Sequence, residues 1–116
     1  MADPVWLLLM FDLPVLTKEH RRRATQYRKM ILDLGFSQVQ LSVYSKYLVN
    51  ASGVRSLLSP IRDLVPPQGD VRMLKLTDEQ WASTYRYFGA QQVPIEGKPE
   101  QLGLFISPTD RVEISF

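Results

Sequence analysis

The chain has 116 residues, 45% apolar and 22% charged, the size and balance of one domain with a core of its own. It has no cysteine, which excludes disulfides, thiolate catalysis and cysteine zinc sites, and its single histidine makes zinc and Ser–His–Asp chemistry poor fits. The net charge of +2 conceals an asymmetry: between residues 17 and 47, Lys18, Arg21, Arg22, Arg23, Arg28, Lys29 and Lys46 face only Glu19 and Asp33, a balance of +5, whereas seven basic and eight acidic residues follow. Such a segment suits a polyanion docked on one side, and it equally describes a solvated helix face.

The N-terminus carries no basic stretch ahead of its apolar run and no small-residue cleavage site, so no signal peptide is read and a cytoplasmic location is expected. Val5-Trp-Leu-Leu-Leu-Met10 is too short to span a bilayer and lacks a helical period, so it reads as a strand buried on both faces. Pro14 ends it near Asp12 and leaves that carboxylate where the sheet opens to solvent, either as a turn aspartate or as a functional one. Thr17 then caps a helix whose apolar stripe is His20, Ala24, Tyr27, Ile31 and Leu34, closed by Gly35. On that stripe His20 reads as a partly buried core residue rather than a ligand.

Residues 36–48 change to period two and are too long for one strand, which predicts two strands with a bend between Ser42 and Ser45. Asn50 or Ser52 caps a second helix on Val54, Leu57, Leu58, Ile61 and Leu64, with Pro60 disturbing its first or last turn. Pro66-Pro67-Gln-Gly69 is a loop, residues 70–77 a fourth strand, and Thr77-Asp-Glu-Gln80 a capping box opening a short helix. Residues 84–88 read as a fifth strand, 89–103 as a connector, and 102–106 as a last apolar segment before the tail.

Strand–helix–strand, twice over, is the βαββαβ order of the ferredoxin-like α+β fold, an antiparallel sheet with two helices on one face. The predicted division is a core over residues 1–89 and, over 90–116, a C-terminal connector, extra strand and tail packing on a partner protomer. Because the first strand is apolar on both faces, the bare sheet face is expected to be covered, most simply by a second copy. The phosphate-binding patterns GxxxxGK[ST] and GxGxxG are missing. A strand-end aspartate near clustered arginines suits a divalent-metal site on phosphodiesters, since Mg²⁺ takes one or two carboxylates plus waters and phosphate oxygens. A two-fold dimer would supply the second carboxylate.

Phe11-Asp12-Leu13-Pro14 after a hydrophobic strand, Tyr27-Arg28-Lys29, Gly35-Phe36 and Gln40-Leu-Ser-Val-Tyr-Ser-Lys46 resemble the small CRISPR-associated nuclease of the spacer-acquisition complex. Thr77-Asp-Glu-Gln80 with the following Tyr-Arg-Tyr-Phe-Gly89 resembles its type II version. The likeness spans residues 5 to about 106. It implies a ferredoxin-like homodimer held between two dimers of the CRISPR integrase, binding duplex DNA, and a Mg²⁺- or Mn²⁺-dependent endonuclease acting on DNA or single-stranded RNA. The metal-ligand and catalytic role maps onto Asp12, with Phe11 before it and Ser42 near the dimer site. Phosphate contacts map onto Arg21, Arg22, Arg23 and Arg28, to which the basic segment adds Lys29 and Lys46. Two other readings stay open: a purely architectural DNA scaffold, and a toxin-like ferredoxin-fold RNase. No membrane partner is expected.

Overall fold

The computed structural model describes residues 3–98. At its centre is strand β1 (Val5–Asp12), flanked antiparallel by β3 (Val43–Leu48) and β4 (Asp70–Thr77), with β2 (Ser37–Gln40) outside β3, so the sheet order is β2-β3-β1-β4. Helices α1 (Lys18–Asp33) and α2 (Val54–Asp63) cover one face, completing the ferredoxin-like βαββαβ arrangement. Strand periodicity sends Val5, Leu7, Leu9 and Phe11 to the helix side. There Leu7 and Leu9 meet Ala24, Tyr27 and Ile31 of α1 and Ile61 of α2. Leu7, Leu9 and Ile31 are wholly excluded from water, each burial being worth roughly 1.5–3 kcal/mol.

Local chemistry sets the helix ends. Thr17 caps α1 through its hydroxyl, which accepts from the His20 amide at 3.0 Å. His20 returns the favour, its Nδ1 accepting from the Thr17 amide at 3.4 Å, so a histidine occupies the position usually held by Glu or Gln in a capping box. The histidine expected in the core is therefore half-buried at the helix start and outside the core cluster. At the other end Gly35 has φ +96°, and the Gly35 and Phe36 amides reach back to the Leu32 and Ile31 carbonyls at 3.0 and 3.3 Å, a Schellman closure. Asn50 caps a 3₁₀ turn (Ala51–Gly53) that leads into α2, and Pro60 sits in the last turn of α2. There the buried Tyr27 hydroxyl donates to the Ile61 carbonyl at 2.8 Å, supplying a partner to a helix-end acceptor.

Three expectations shift. The β2–β3 connection falls at Leu41 and Ser42, slightly earlier than predicted, and a bulge between Gln38 and Gln40 absorbs the register change. The fifth strand is only β5 (Arg86–Phe88), and it pairs with β6 (Gln91–Val93) in a hairpin inside the segment read as connector. Two glutamines and one valine carry too little apolar pattern to announce a strand. The open sheet face, expected to be covered most simply by a second copy, is covered at its Trp6 end by the chain itself. Helix α3 (Asp78–Ala82), opened by the predicted Thr77–Gln80 capping box, stacks Trp81 on Trp6 at 4.5 Å and 11°. Residues 94–98 lie over the same end, with the Trp81 indole donating to the Glu96 carbonyl at 2.6 Å and Lys98 on Asp78 at 2.8 Å. The segment 102–106 and the tail lie outside the described residues.

Candidate nucleic-acid interface

Asp12 is the last residue of β1 and is exposed. Its side chain alternates to the open face with Trp6, Leu8 and Met10, while the preceding Phe11 points into the core. There the Phe11 ring stacks on Tyr44 (5.3 Å, 13°) and meets Tyr27 edge-on (5.4 Å, 89°). Phe11 thus anchors the strand end without sharing a face with Asp12. Its amide donates to the Ser42 carbonyl at 3.1 Å, which ties the β2–β3 turn to the residue before Asp12. Asp12, Phe11 and Ser42 are therefore gathered at one end of the sheet.

The register adds two residues that sequence reasoning missed. Asp70 opens β4 directly opposite Asp12, and directly opposed residues hold their Cβ atoms about 4.5–5.5 Å apart. Arg72, opposite Met10 on the same face, pairs with Asp70 at 3.6 Å. Both were deducible: in this topology strand four runs antiparallel beside strand one, so the start of one adjoins the end of the other. Two carboxylates on one exposed face fit the donor set of Mg²⁺, which retains several waters and leaves room for phosphate oxygens. Among the described residues no cluster of three or more metal-ligating side chains forms, so the donor set does not resemble a closed all-protein cage.

The basic residues divide. Arg21 donates to the Val15 and Leu16 carbonyls at 3.1 and 3.4 Å, bracing the β1–α1 loop beside Asp12. Arg22 and Arg23 both hold Glu19, and these hydrogen bonds, Arg22's first, bring its carboxyl down to about 2. All three arginines remain exposed, as does Lys29, while Arg28 is half-buried. Lys46 is not with them. It lies on the helix side of β3, and a Cβ on Gly35 would collide with its Nζ, so its ammonium sits at the C-terminal end of α1, where a cation suits the helix dipole. At 1.5 Å per residue, that end is about 21 Å along α1 from Arg21.

Comparison with known proteins gives this arrangement a family. The family model described as CRISPR associated protein Cas2 matches residues 5–84. The chain belongs to that family. Relatives include the CRISPR-associated endoribonuclease Cas2 of Paracidovorax avenae, 35% identical over 101 residues, covering 87% of this chain and 94% of the relative. The protein of the same name from Parvibaculum lavamentivorans is 36% identical, with 87% of this chain and 100% of the relative covered. A third, from Streptococcus mutans, is 32% identical over 83% of this chain and 90% of the relative. The family match takes in β1 with Asp12, the arginines of α1, and Asp70 and Arg72 on β4. It stops before the β5–β6 hairpin. No helix among the described residues is long and apolar enough to cross a membrane.

Proposed function

We propose that this chain is a CRISPR adaptation subunit that binds duplex DNA between integrase dimers, and that it cleaves phosphodiesters with Mg²⁺ (or Mn²⁺) at Asp12. The observation that carries the cleavage reading is the exposed Asp12–Asp70 pair at the end of the central strands. The two carboxylates would hold the cation, which supplies a Lewis acid for a phosphoryl oxygen and makes an attacking water more acidic. Arg72, which pairs with Asp70, would neutralise a strand phosphate beside the two carboxylates, and the hydrogen bond from the Phe11 amide to the Ser42 carbonyl ties down the strand end. Several relatives bear the name endoribonuclease, which supports RNA as a substrate alongside DNA.

The DNA-holding role rests on α1. Exposed cations from Arg21 to Lys29 extend over about 12 Å of the helix, enough to follow roughly three to four base pairs at ~3.4 Å each. A homodimer accounts for the remaining apolar surface: Leu74 on the uncovered half of the open face, and Tyr85 and Tyr87 at the hairpin, are 47%, 75% and 62% exposed. A scaffold without cleavage is the second reading, favoured by the ion pair that already occupies Asp70.

The test is cleavage of labelled single-stranded RNA and duplex DNA, with Mg²⁺ or EDTA, by wild type and Asp12→Asn. Metal-dependent cutting that disappears in the variant, with an unchanged melting temperature, upholds the nuclease. Salt-sensitive duplex binding without cutting in either protein leaves the scaffold. Cutting that survives Asp12→Asn removes Asp12 from the chemistry. RNA cleavage with no affinity for duplex DNA or integrase points to the toxin-like RNase instead.

A further inference from the structure

Beside the exit of β1 lies a cavity of about 180 Å³ lined by Pro14, His20, Arg23, Pro66, Pro67 and Gln68. Three of its lining residues, His20, Arg23 and Gln68, carry N–H donors. The His20 Nδ1 accepts from the Thr17 amide, so the neutral ring carries its proton on Nε2, where it can donate. Arg23 uses Nε on Glu19 at 3.0 Å, and its two terminal nitrogens have no partner among the described residues. The Gln68 side chain has none there either. No carboxylate belongs to the lining; the neighbouring Glu19 is occupied by Arg22 and Arg23 together.

The cavity is also preformed. Three of its walls are proline rings, which have little freedom to lose. The 66–69 turn is closed by the Gly69 amide on the Pro66 carbonyl at 2.9 Å and seated hard against β1's exit, since a Cβ on Gly69 would lie 2.9 Å from Leu13 Cδ2. Within that turn Gln68 has φ +67°, a conformation in which glycine would be easier, yet the residue there brings an amide to the cavity. A volume of about 180 Å³ is below the roughly 300–1,000 Å³ of sites that enclose a small molecule, so the fit is to one compact group rather than a whole nucleotide.

We infer that this cavity binds a single phosphate group of a nucleic-acid strand, through His20, Arg23 and Gln68, and thereby sets the strand's register relative to Asp12. Pro14 stands two residues beyond Asp12, about 7 Å of extended chain, which corresponds to about two nucleotide steps along a duplex strand. The inference deepens the nucleic-acid reading above and takes the identity of the ligand from it.

The test runs in EDTA on the full chain. Inorganic phosphate is titrated while the ring resonances of His20, the sole histidine, are followed by NMR. Duplexes with 5′-phosphate or 5′-hydroxyl ends are then bound to wild type, His20→Gln and Gln68→Gly. Glutamine keeps the capping acceptor at position 20, and glycine relieves the backbone at 68, so neither change should lower the melting temperature. The expected result is a saturable shift of the His20 ring and a loss of about three- to tenfold in duplex affinity for each variant. If the end-phosphorylated duplex binds wild type more tightly and the variants erase that difference, the ligand is a terminal phosphate. If both duplexes bind alike and weaken alike, it is an internal phosphodiester. A His20 ring unmoved by phosphate, or variants that bind both duplexes as wild type does, overturns the inference. A phosphate shift in a protein with no affinity for nucleic acid would uphold the pocket and remove the function proposed above.

Discussion

Replacing Tyr27 with phenylalanine tests how the two helices are joined. The hydroxyl is buried and donates to the Ile61 carbonyl at 2.8 Å, while the ring packs edge-on against Phe11. Phenylalanine keeps the ring contacts and leaves a helix-end carbonyl without its donor in a site closed to water. A lost neutral hydrogen bond costs about 0.5–1.5 kcal/mol, and a buried orphan acceptor raises this towards 1–3 kcal/mol, so a loss of about 1–2 kcal/mol is expected. With an unfolding entropy near 2.1 cal/mol/K per residue, 116 residues give about 0.24 kcal/mol/K, and the melting temperature should fall by about 4–8 °C. The alkaline limb gives an independent reading. Burial pushes the Tyr27 hydroxyl up to about 12, so the folded state keeps a proton that the unfolded chain releases near 10. That contribution is complete below pH 10 and is lost as pH rises towards 12, and Tyr27→Phe should therefore flatten the fall in stability over this window. Thermal melts from pH 7 to 11.5 on both proteins decide it. A melting temperature within 1 °C of wild type, or an unchanged alkaline slope, would refute the reasoning.

Acid should loosen the cover over the open sheet face. The Asp78 carboxyl is held below its usual value by Lys98 first and by the Trp6 indole at 2.9 Å second. Its stabilising contribution is present above about pH 4 and is lost as pH falls through its lowered folded value. Trp6 and Trp81 are the chain's two tryptophans, so intrinsic fluorescence should change in that window, and Asp78→Asn should abolish the transition. Gly35→Ala forces a side chain into φ +96° and should cost about 1–2 kcal/mol in denaturant melts; because the strain is in the backbone, adding Lys46→Ala should not restore the loss. Replacing Arg21, Arg22 and Arg23 by alanine should reduce the salt dependence of duplex binding by about one unit of slope per phosphate contact removed, and an unchanged slope would exclude this helix from the DNA track.

The contrast between Asp12 and Asp70 illustrates where a sequence stops being informative. Asp12 was legible because everything that positions it is local: six apolar residues before it and a proline two residues after it. Asp70 is 58 residues away and becomes its neighbour only through strand pairing, which brings the start of β4 against the end of β1. The same holds for Lys46, which shares a basic segment with the α1 arginines yet belongs to the opposite end of the helix. Charge counted along a chain carries no information on which end of an element a residue will reach.

By itself the sequence determined the elements that depend on nearest neighbours: the buried strand β1, the stripe and glycine stop of α1, the capping box at Thr77, and from their order the ferredoxin-like topology. Only the tertiary structure decided that His20 caps a helix and lines a cavity, that Phe11 turns away from Asp12, and that Trp6 is covered by its own chain through Trp81 and residues 94–98. The physical reason is the range of the forces. Backbone periodicity and capping act over three or four residues and leave their mark in the local pattern, whereas a cavity, a strand register or a stacked ring pair depends on segments that meet only once the hydrophobic core has closed between them.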